Sequence, residues 1–226
     1  MSGRDGGPLD IVVLGLSITS AWGNGHATTF RALLKGLGQD GHRVLFLERD
    51  VPWYASHRDL PAPGFCEVGL YDDVPGMLGR WGDRLREADA VIVGSFVPEG
   101  VALIDRLAAM GLRRLCFYDI DTPVTLARLD AGTADYVAAR QVALFDAYLS
   151  FAGGEVLSHL ERERHAREYH VAAARTIVPA RPRSTSAEEH ASGAMHRTSQ
   201  ACARVPGALS FPVSTDFEGL QRSSLH

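Results

Sequence analysis

Lysine, cysteine and long apolar runs are all scarce in this chain, and each scarcity argues against a class of protein. Lys35 is the single lysine among 23 basic residues, the arginines are scattered, and the net charge is -4. No basic patch therefore suggests a nucleic acid partner. The three cysteines form no CxxC spacing, which favours free buried thiols and a reducing compartment. No stretch approaches the ~18 apolar residues that span a bilayer.

The opening residues also lack the features of a targeting segment. They read MSGRDGGPLD, which is polar and rich in glycine, whereas a signal peptide has an apolar centre. We therefore expect a cytoplasmic protein in which residues 1–9 form a disordered lead.

Strands and helices alternate from the first apolar run onward. The predicted strands cover residues 9–16, 43–47, 66–71, 90–94, 114–118 and 146–151, and the predicted helices cover 26–39, 74–88, 98–110, 124–130 and 134–145. The apolar runs do not alternate with polar residues, as expected of parallel strands that are covered on both faces. The sequence predicts an α/β domain over residues 10–161, with an open, parallel, Rossmann-like sheet.

The remaining residues have a different character. From about residue 162 the chain shows no clear periodicity and is biased towards Arg, Ala, Ser and His. Such a segment buries little apolar surface. We expect residues 162–226 to be an irregular, disordered tail, and interpret it as a truncated or out-of-frame continuation.

The loop after the first strand is one candidate site. Gly23 and Gly25 allow a ligand to approach the backbone closely, and His26 exchanges a proton near neutral pH. The amino end of the following helix favours an anionic group such as phosphate. The alternative is an ordinary strand-to-helix turn with no ligand.

A dinucleotide fingerprint is missing from this loop. It requires the pattern GxGxxG after the first strand, but Gly15 is followed by Leu16, Ser17 and Ile18. Glu48 does stand at the end of the second strand, where an acidic residue would hold a ribose. Without the glycines, a solvated strand end is the better interpretation.

Two further strand ends carry polar residues. Asp119 and Asp121 follow the fifth strand, where they would act as a general base or bind sugar hydroxyls, and Thr122 is placed to cap the next helix before Pro123. Glu99 follows the fourth strand, where it would either contact a ligand or favour the positive end of a helix. Neither the aspartates nor the histidines form a metal-ligand cluster, so no metal and no cofactor is predicted.

Five segments in order resemble the CgeB-like glycosyltransferases, which have the two-domain GT-B architecture. They are LGLSITSAWGNGHATTFRALL, FLERDVPWYASHRDLP, VGSFVPEG, FYDIDTPVTLARL and YLSFAGG, within residues 10–160. The resemblance implies the amino-terminal half of such an enzyme, on the acceptor side of a cleft. A second domain would bind the nucleotide-sugar donor, and the acceptor is unknown.

The resemblance also implies which residues face that cleft: Gly23, Asn24, Gly25, His26, Glu99, Asp119, Asp121 and Thr122. Of these, His26 or Asp121 would handle the proton of the acceptor hydroxyl. Two other interpretations stay open. One is a non-catalytic Rossmann-like module that binds a nucleotide or a sugar, and the other is an inactive fragment.

Overall fold

A computed structural model describes residues 7–150 and the short strand 169–171. Most of the predicted lead, residues 1–9, and most of the predicted tail, residues 162–226, lie outside the described residues. The strand at 169–171 falls within that tail and was not expected from the sequence. Within the described residues, no helix is long and apolar enough to cross a membrane.

Seven parallel strands form a single sheet in the order β3-β2-β1-β4-β5-β6-β7. The strands are β1 (Asp10–Gly15), β2 (Arg43–Arg49), β3 (Glu67–Tyr71), β4 (Ala90–Gly94), β5 (Leu115–Asp119), β6 (Ala147–Ser150) and β7 (Tyr169–Val171). The first six follow the 3-2-1-4-5-6 order of the doubly wound Rossmann sheet. The predicted Rossmann-like α/β fold is confirmed. The direction of strand addition reverses between β1 and β4.

Helices cover both faces of this sheet. They are α1 (His26–Gln39), the four-residue α2 (Pro52–Ala55), α3 (Val74–Glu87), α4 (Gly100–Ala108) and α5 (Thr122–Asp130), with a 3-10 helix at Ala139–Leu144. The buried side of α1 joins one apolar cluster. The buried sides of α3 and α4 join the other. Each cluster takes alternate residues of β1, which explains the unbroken apolar run of that strand.

Glycines end the two strands at the reversal because aromatic rings pack against them. A Cβ atom on Gly15 would lie 2.3 Å from the ring of Phe46, and one on Gly94 would lie 2.5 Å from the ring of Phe30. The Phe30 and Phe46 rings themselves meet edge to face. Gly15 therefore serves packing between α1 and the sheet.

Three local predictions were wrong. Residues 134–138 do not continue a helix, because Tyr136 and Val137 are buried in the core from an irregular segment. Pro98 does not open α4, because Glu99 takes a left-handed backbone conformation and the helix begins after it. Thr122 is the first residue of α5 and not its cap; Asp121 holds the cap position without a side-chain bond.

Candidate functional site

The candidate site lies at the carboxyl ends of β1, β4 and β5. Strand order reverses between β1 and β4, so the loop after β1 leads to one face of the sheet and the loop after β4 leads to the other. In open α/β sheets the resulting crevice is where ligands bind. His26, at the start of α1, and Phe96, in the loop after β4, contact each other there.

Glu48 fixes the shape of the loop after β1. Its carboxylate is fully buried and accepts four hydrogen bonds. The Ser17 and Thr19 hydroxyls donate to Oε1 at 2.8 and 2.6 Å, and the Ile18 and Thr19 amides donate to Oε2 at 2.8 and 3.0 Å. Glu48 is thus neither a ribose ligand nor a solvated strand end. Its four bonds hold the polar loop against β2.

Asn24 orders the other end of the same loop. Its side-chain amide donates to the carbonyl of Ser17 at 3.2 Å, and its Oδ1 accepts from the backbone N–H of His26 at 3.1 Å. Asn24 is buried, and it presents the first residue of α1 in a fixed orientation. Its predicted contact with substrate stays untested.

The segment after α2 braces the outside of the loop. Arg31 forms a two-pronged ion pair with Asp59, both contacts at 2.8 Å, and Asp59 also accepts from the Ala21 amide at 2.8 Å. These bonds hold the pKa of Asp59 well below its ordinary value, and the guanidinium is the largest cause. The loop is therefore preorganised from both sides.

His26 has the properties of a weakly basic group at the edge of the crevice. Its Nδ1 is buried and has no hydrogen-bond partner within the described residues. Burial lowers the pKa of the imidazole below 6.5, and the negative charge of Asp121 acts against that shift. The two residues that the sequence singled out for proton handling therefore lie within electrostatic reach of each other. Asp121 is exposed, so its carboxylate is accessible from solvent.

Phe96 is a site residue that sequence reasoning missed. Its ring meets His26 edge to face, with the centroids 5.0 Å apart, and stacks on Tyr136 at 4.4 Å. The Arg128 guanidinium lies 5.1 Å from the Phe96 centroid. The backbone of Phe96 is left-handed, with φ at 64°, which is rare for a bulky residue. No sequence signal predicts this conformation, because a bulky aromatic residue is not among those that favour a left-handed backbone.

Asp119 lies beneath the site, in the interior of the protein. It is fully buried, and it accepts from the Tyr148 hydroxyl at 2.6 Å and from the Thr125 hydroxyl at 2.7 Å. Tyr136 in turn is 2.8 Å from Thr125. Burial raises the pKa of Asp119, whereas the two hydroxyl bonds oppose the rise. This network supports the stack of Tyr136 under Phe96.

The other predicted site residues fall into two groups. Thr122 is buried and bonded to Ser150 at 2.6 Å, so its hydroxyl serves the interior. Gly23, with φ at 58°, and Gly25 are exposed on the loop after β1. Glu99 is also exposed and pairs with Arg49 at 2.6 Å.

No group of His, Cys, Asp and Glu side chains within residues 7–150 is arranged to hold a metal ion. Two open surface depressions of about 360 and 460 Å³ lie elsewhere, both of them lined by His42, Gly64 and Phe65. They are shallow and lie beyond the amino ends of the strands, whereas chemistry in this fold is expected at the carboxyl ends.

Comparisons with known proteins add a distant structural likeness. No family model matches the chain, and no curated protein matches it. Among solved structures, the chain is similar to the enzyme WbmG of Bordetella bronchiseptica, which was solved in complex with NAD. The identity is 13%, the TM-score is 0.41, and the match covers 65% of this chain and 54% of WbmG. This chain therefore matches about half of WbmG. So low a TM-score carries no argument about the ligand of this chain.

Proposed function

We propose that this Rossmann-like module is the acceptor half of a GT-B glycosyltransferase of the CgeB-like kind. The observation that carries the proposal is the imidazole of His26 at the crevice where strand order reverses, against the ring of Phe96 and within electrostatic reach of Asp121. An inverting transferase needs a base at that place, because the acceptor hydroxyl must lose its proton as it attacks the sugar, whereas a retaining one relies more on stabilising the departing phosphate.

His26 suits this role because it is neutral at physiological pH. Burial lowers its pKa, so the imidazole is free to accept a proton. In the proposed step the acceptor oxygen forms a bond to the anomeric carbon, the bond from that carbon to the nucleoside diphosphate breaks, and the proton moves to His26. The negative charge of Asp121 then stabilises the imidazolium.

Phe96 and the helix start would keep the base in place. The Phe96 ring contacts the imidazole edge to face, and Asn24 bonds to the His26 backbone. Fixed orientation matters because general-base catalysis requires hydrogen-bond reach to the proton that is removed. The ring contact with Phe96 and the bonded helix start support this role for His26.

A second candidate function is a non-catalytic module that binds a nucleotide or a sugar. The observation in its favour is that Asn24, Asp119 and Thr122 all use their polar groups inside the protein. Such a module would keep its ligand affinity when His26 loses its basicity.

The two functions separate in one experiment on the full chain. A panel of nucleotide sugars is tested for binding by calorimetry and for turnover by release of the nucleoside diphosphate. Neither binding nor turnover would mean that the chain holds no donor site and acts, at most, as an acceptor half. With His26→Gln, the transferase proposal expects turnover to fall by about 10²–10⁴-fold. Binding of the nucleotide sugar would stay within about twofold.

His42→Gln is the matched control, since His42 lies before β2 and its Nδ1 accepts from the Leu9 amide. It should leave both readouts unchanged. Turnover that survives His26→Gln overturns the catalytic role. Binding without turnover in the wild type favours the non-catalytic module.

A further inference from the structure

One buried polar group outside the site described above has no partner. The Tyr71 hydroxyl, at the carboxyl end of β3, makes no hydrogen bond within the described residues, and the residue is only 4% exposed. Buried hydroxyls are almost always paired, so an unpaired one asks for an explanation. Burial raises the pKa of Tyr71 to about 12, which keeps the hydroxyl protonated and able to donate.

Arg49 is a cation within electrostatic reach of this hydroxyl. Arg49 and Tyr71 are direct partners across β2 and β3, so their side chains leave the same face of the sheet. Arg49 Nε donates to the carbonyl of Asp72 at 3.0 Å, which holds the guanidinium beside the end of β3. The charge of Arg49 lowers the pKa of Tyr71, while those of Glu99 and Glu48 raise it.

A carboxylate of the protein itself occupies Arg49. Glu99 Oε1 accepts from Arg49 Nη1 at 2.6 Å, across from the loop after β4. The Glu99 side chain is 52% exposed, whereas that of Arg49 is 26% exposed. Glu99 has a left-handed backbone with φ at 57°, an unfavourable conformation for this residue. An exposed ion pair of this kind contributes little free energy, so an anion that binds the guanidinium more strongly can displace the carboxylate.

We propose that Arg49 and Tyr71 form a binding site for a phosphate group, and that Glu99 occupies the guanidinium until the phosphate displaces it. Guanidinium and phosphate form strong charge-assisted hydrogen bonds, and a neutral tyrosine hydroxyl supplies one more donor. Glu48 does not compete for these donors, because its carboxylate is bonded inside the loop after β1.

The phosphate site lies beside the crevice, so one ligand could occupy both. Arg49 ends β2, and Glu99 directly precedes α4, so their ion pair spans the end of β1 between them. The inference rests on the second candidate function for the kind of molecule, since a nucleotide bound by this module carries the phosphate. The residues that form the site are separate from His26 and Asp121.

The test measures binding of three probes to the full chain by calorimetry: inorganic phosphate, UDP and uridine. We expect UDP to bind, uridine to bind at least about tenfold more weakly, and phosphate alone to compete with UDP. Glu99→Gln should tighten UDP binding about two- to fivefold, the range expected for removal of an exposed ion pair. Loss of fold cannot produce this gain.

Two loss variants complete the test. Arg49→Gln should weaken UDP binding at least about tenfold, and Tyr71→Phe about two- to tenfold, as for the loss of a charged and a neutral hydrogen bond. Tyr71→Phe should not lower the melting temperature, because its hydroxyl has no partner to lose. Asp83→Asn and Arg86→Gln, which break a similar exposed pair on α3, are the controls.

The inference is overturned if uridine binds as tightly as UDP, if Glu99→Gln leaves UDP affinity unchanged, or if Tyr71→Phe lowers the melting temperature without affecting binding. UDP binding that survives His26→Gln but not Arg49→Gln supports it. These experiments measure binding and not catalysis, so their results can be interpreted even if the proposed transferase activity is not found.

Discussion

Phe96 holds its ring against the imidazole of His26, with centroids 5.0 Å apart, from a backbone that is left-handed. A left-handed backbone costs such a residue about 1–2 kcal/mol. The stack on Tyr136 and the contact with Arg128 offset this cost. Strain that persists at the carboxyl edge of a sheet indicates that the position of the ring matters there.

Replacing the ring tests that relationship directly. Phe96→Leu should raise the pKa of His26 towards 6.5, because burial is the main cause of its depression and the ring supplies part of that burial. The measurement is an NMR titration of the His26 ring protons. Leu144→Ala, at an exposed apolar side chain, should leave the titration unchanged. An unchanged titration in Phe96→Leu would mean that other groups bury the imidazole.

Removing the charge of Asp121 should lower the pKa of His26, the opposite direction to the change expected in Phe96→Leu. Asp121→Asn removes the group that raises the pKa of His26, so the pKa falls further below 6.5. The unfolded chain then binds more protons than the folded one over a wider range below 6.5, and stability declines more as the solution is acidified. Urea unfolding between about pH 5 and 7.5 checks this, with the exposed Asp83→Asn as control. A rise in the His26 pKa contradicts it.

The strand and helix pattern of the sequence was sufficient for the fold, because buried parallel strands have uninterrupted apolar runs. The bounds of α1 and β4 agree with the prediction. The helix predicted over residues 134–138 was wrong, because an amphipathic pattern does not reveal that irregular backbone places Tyr136 in the core. Its position depends on contacts with Phe96 and Gly100, far away in sequence.

The candidate site could be predicted only in part. His26 and Asp121 were found because imidazole and carboxylate groups at strand ends suggest chemistry. The role of Glu48 was missed, since its four donors come from residues about thirty positions earlier. Phe96 and Arg49 were missed for a related reason: an aromatic ring in a strained loop and an arginine at a strand end look ordinary until their neighbours are known.

Glu48→Gln should loosen the loop after β1. An amide in place of the carboxylate keeps one accepting oxygen for the Ile18 and Thr19 amides, while its NH2 group donates to the two hydroxyls, which then accept. The charged acceptor is lost, and we expect a loss of about 1.5–3 kcal/mol in the free energy of unfolding, the range for a hydrogen bond to a charged group. Urea unfolding measures it, and faster hydrogen exchange at the Ile18 and Thr19 amides would locate it.

Glu67→Gln is the control for that variant, because Glu67 lies exposed in β3. Its free energy of unfolding should stay within about 0.5 kcal/mol of the wild type. Equal losses in the two variants would show that the bonds to Glu48 contribute nothing specific.

Gly100 should tolerate no side chain. A Cβ atom there would lie 2.2 Å from the carbonyl oxygen of Tyr136, which is backbone and unable to rotate away. Gly100→Ala should cost about 1–3 kcal/mol by overpacking and should disturb the stack under Phe96. Gly79→Ala, in an exposed turn of α3 with open space around it, should instead stabilise by about 0.5–1 kcal/mol. Thermal melts of the two variants should shift in opposite directions.

Tyr148→Phe should destabilise the protein more at neutral pH than in acid. The hydroxyl of Tyr148 donates to Asp119 at 2.6 Å and lowers the pKa of that carboxyl against the rise caused by burial. Without the bond the pKa of Asp119 rises further. A buried carboxyl with a raised pKa binds more protons folded than unfolded, so stability falls as pH increases through that range.

The expected loss is therefore about 1.5–3 kcal/mol near pH 7.5, the range for a hydrogen bond to a charged group, and less near pH 4.5, where Asp119 is more fully protonated. Urea unfolding at both values measures the difference. Tyr71→Phe removes a buried hydroxyl that has no partner within residues 7–150, and should cost nothing at either pH. A loss in Tyr148→Phe that is the same at both values would show that Asp119 keeps one charge state between pH 4.5 and pH 7.5, which would contradict this prediction.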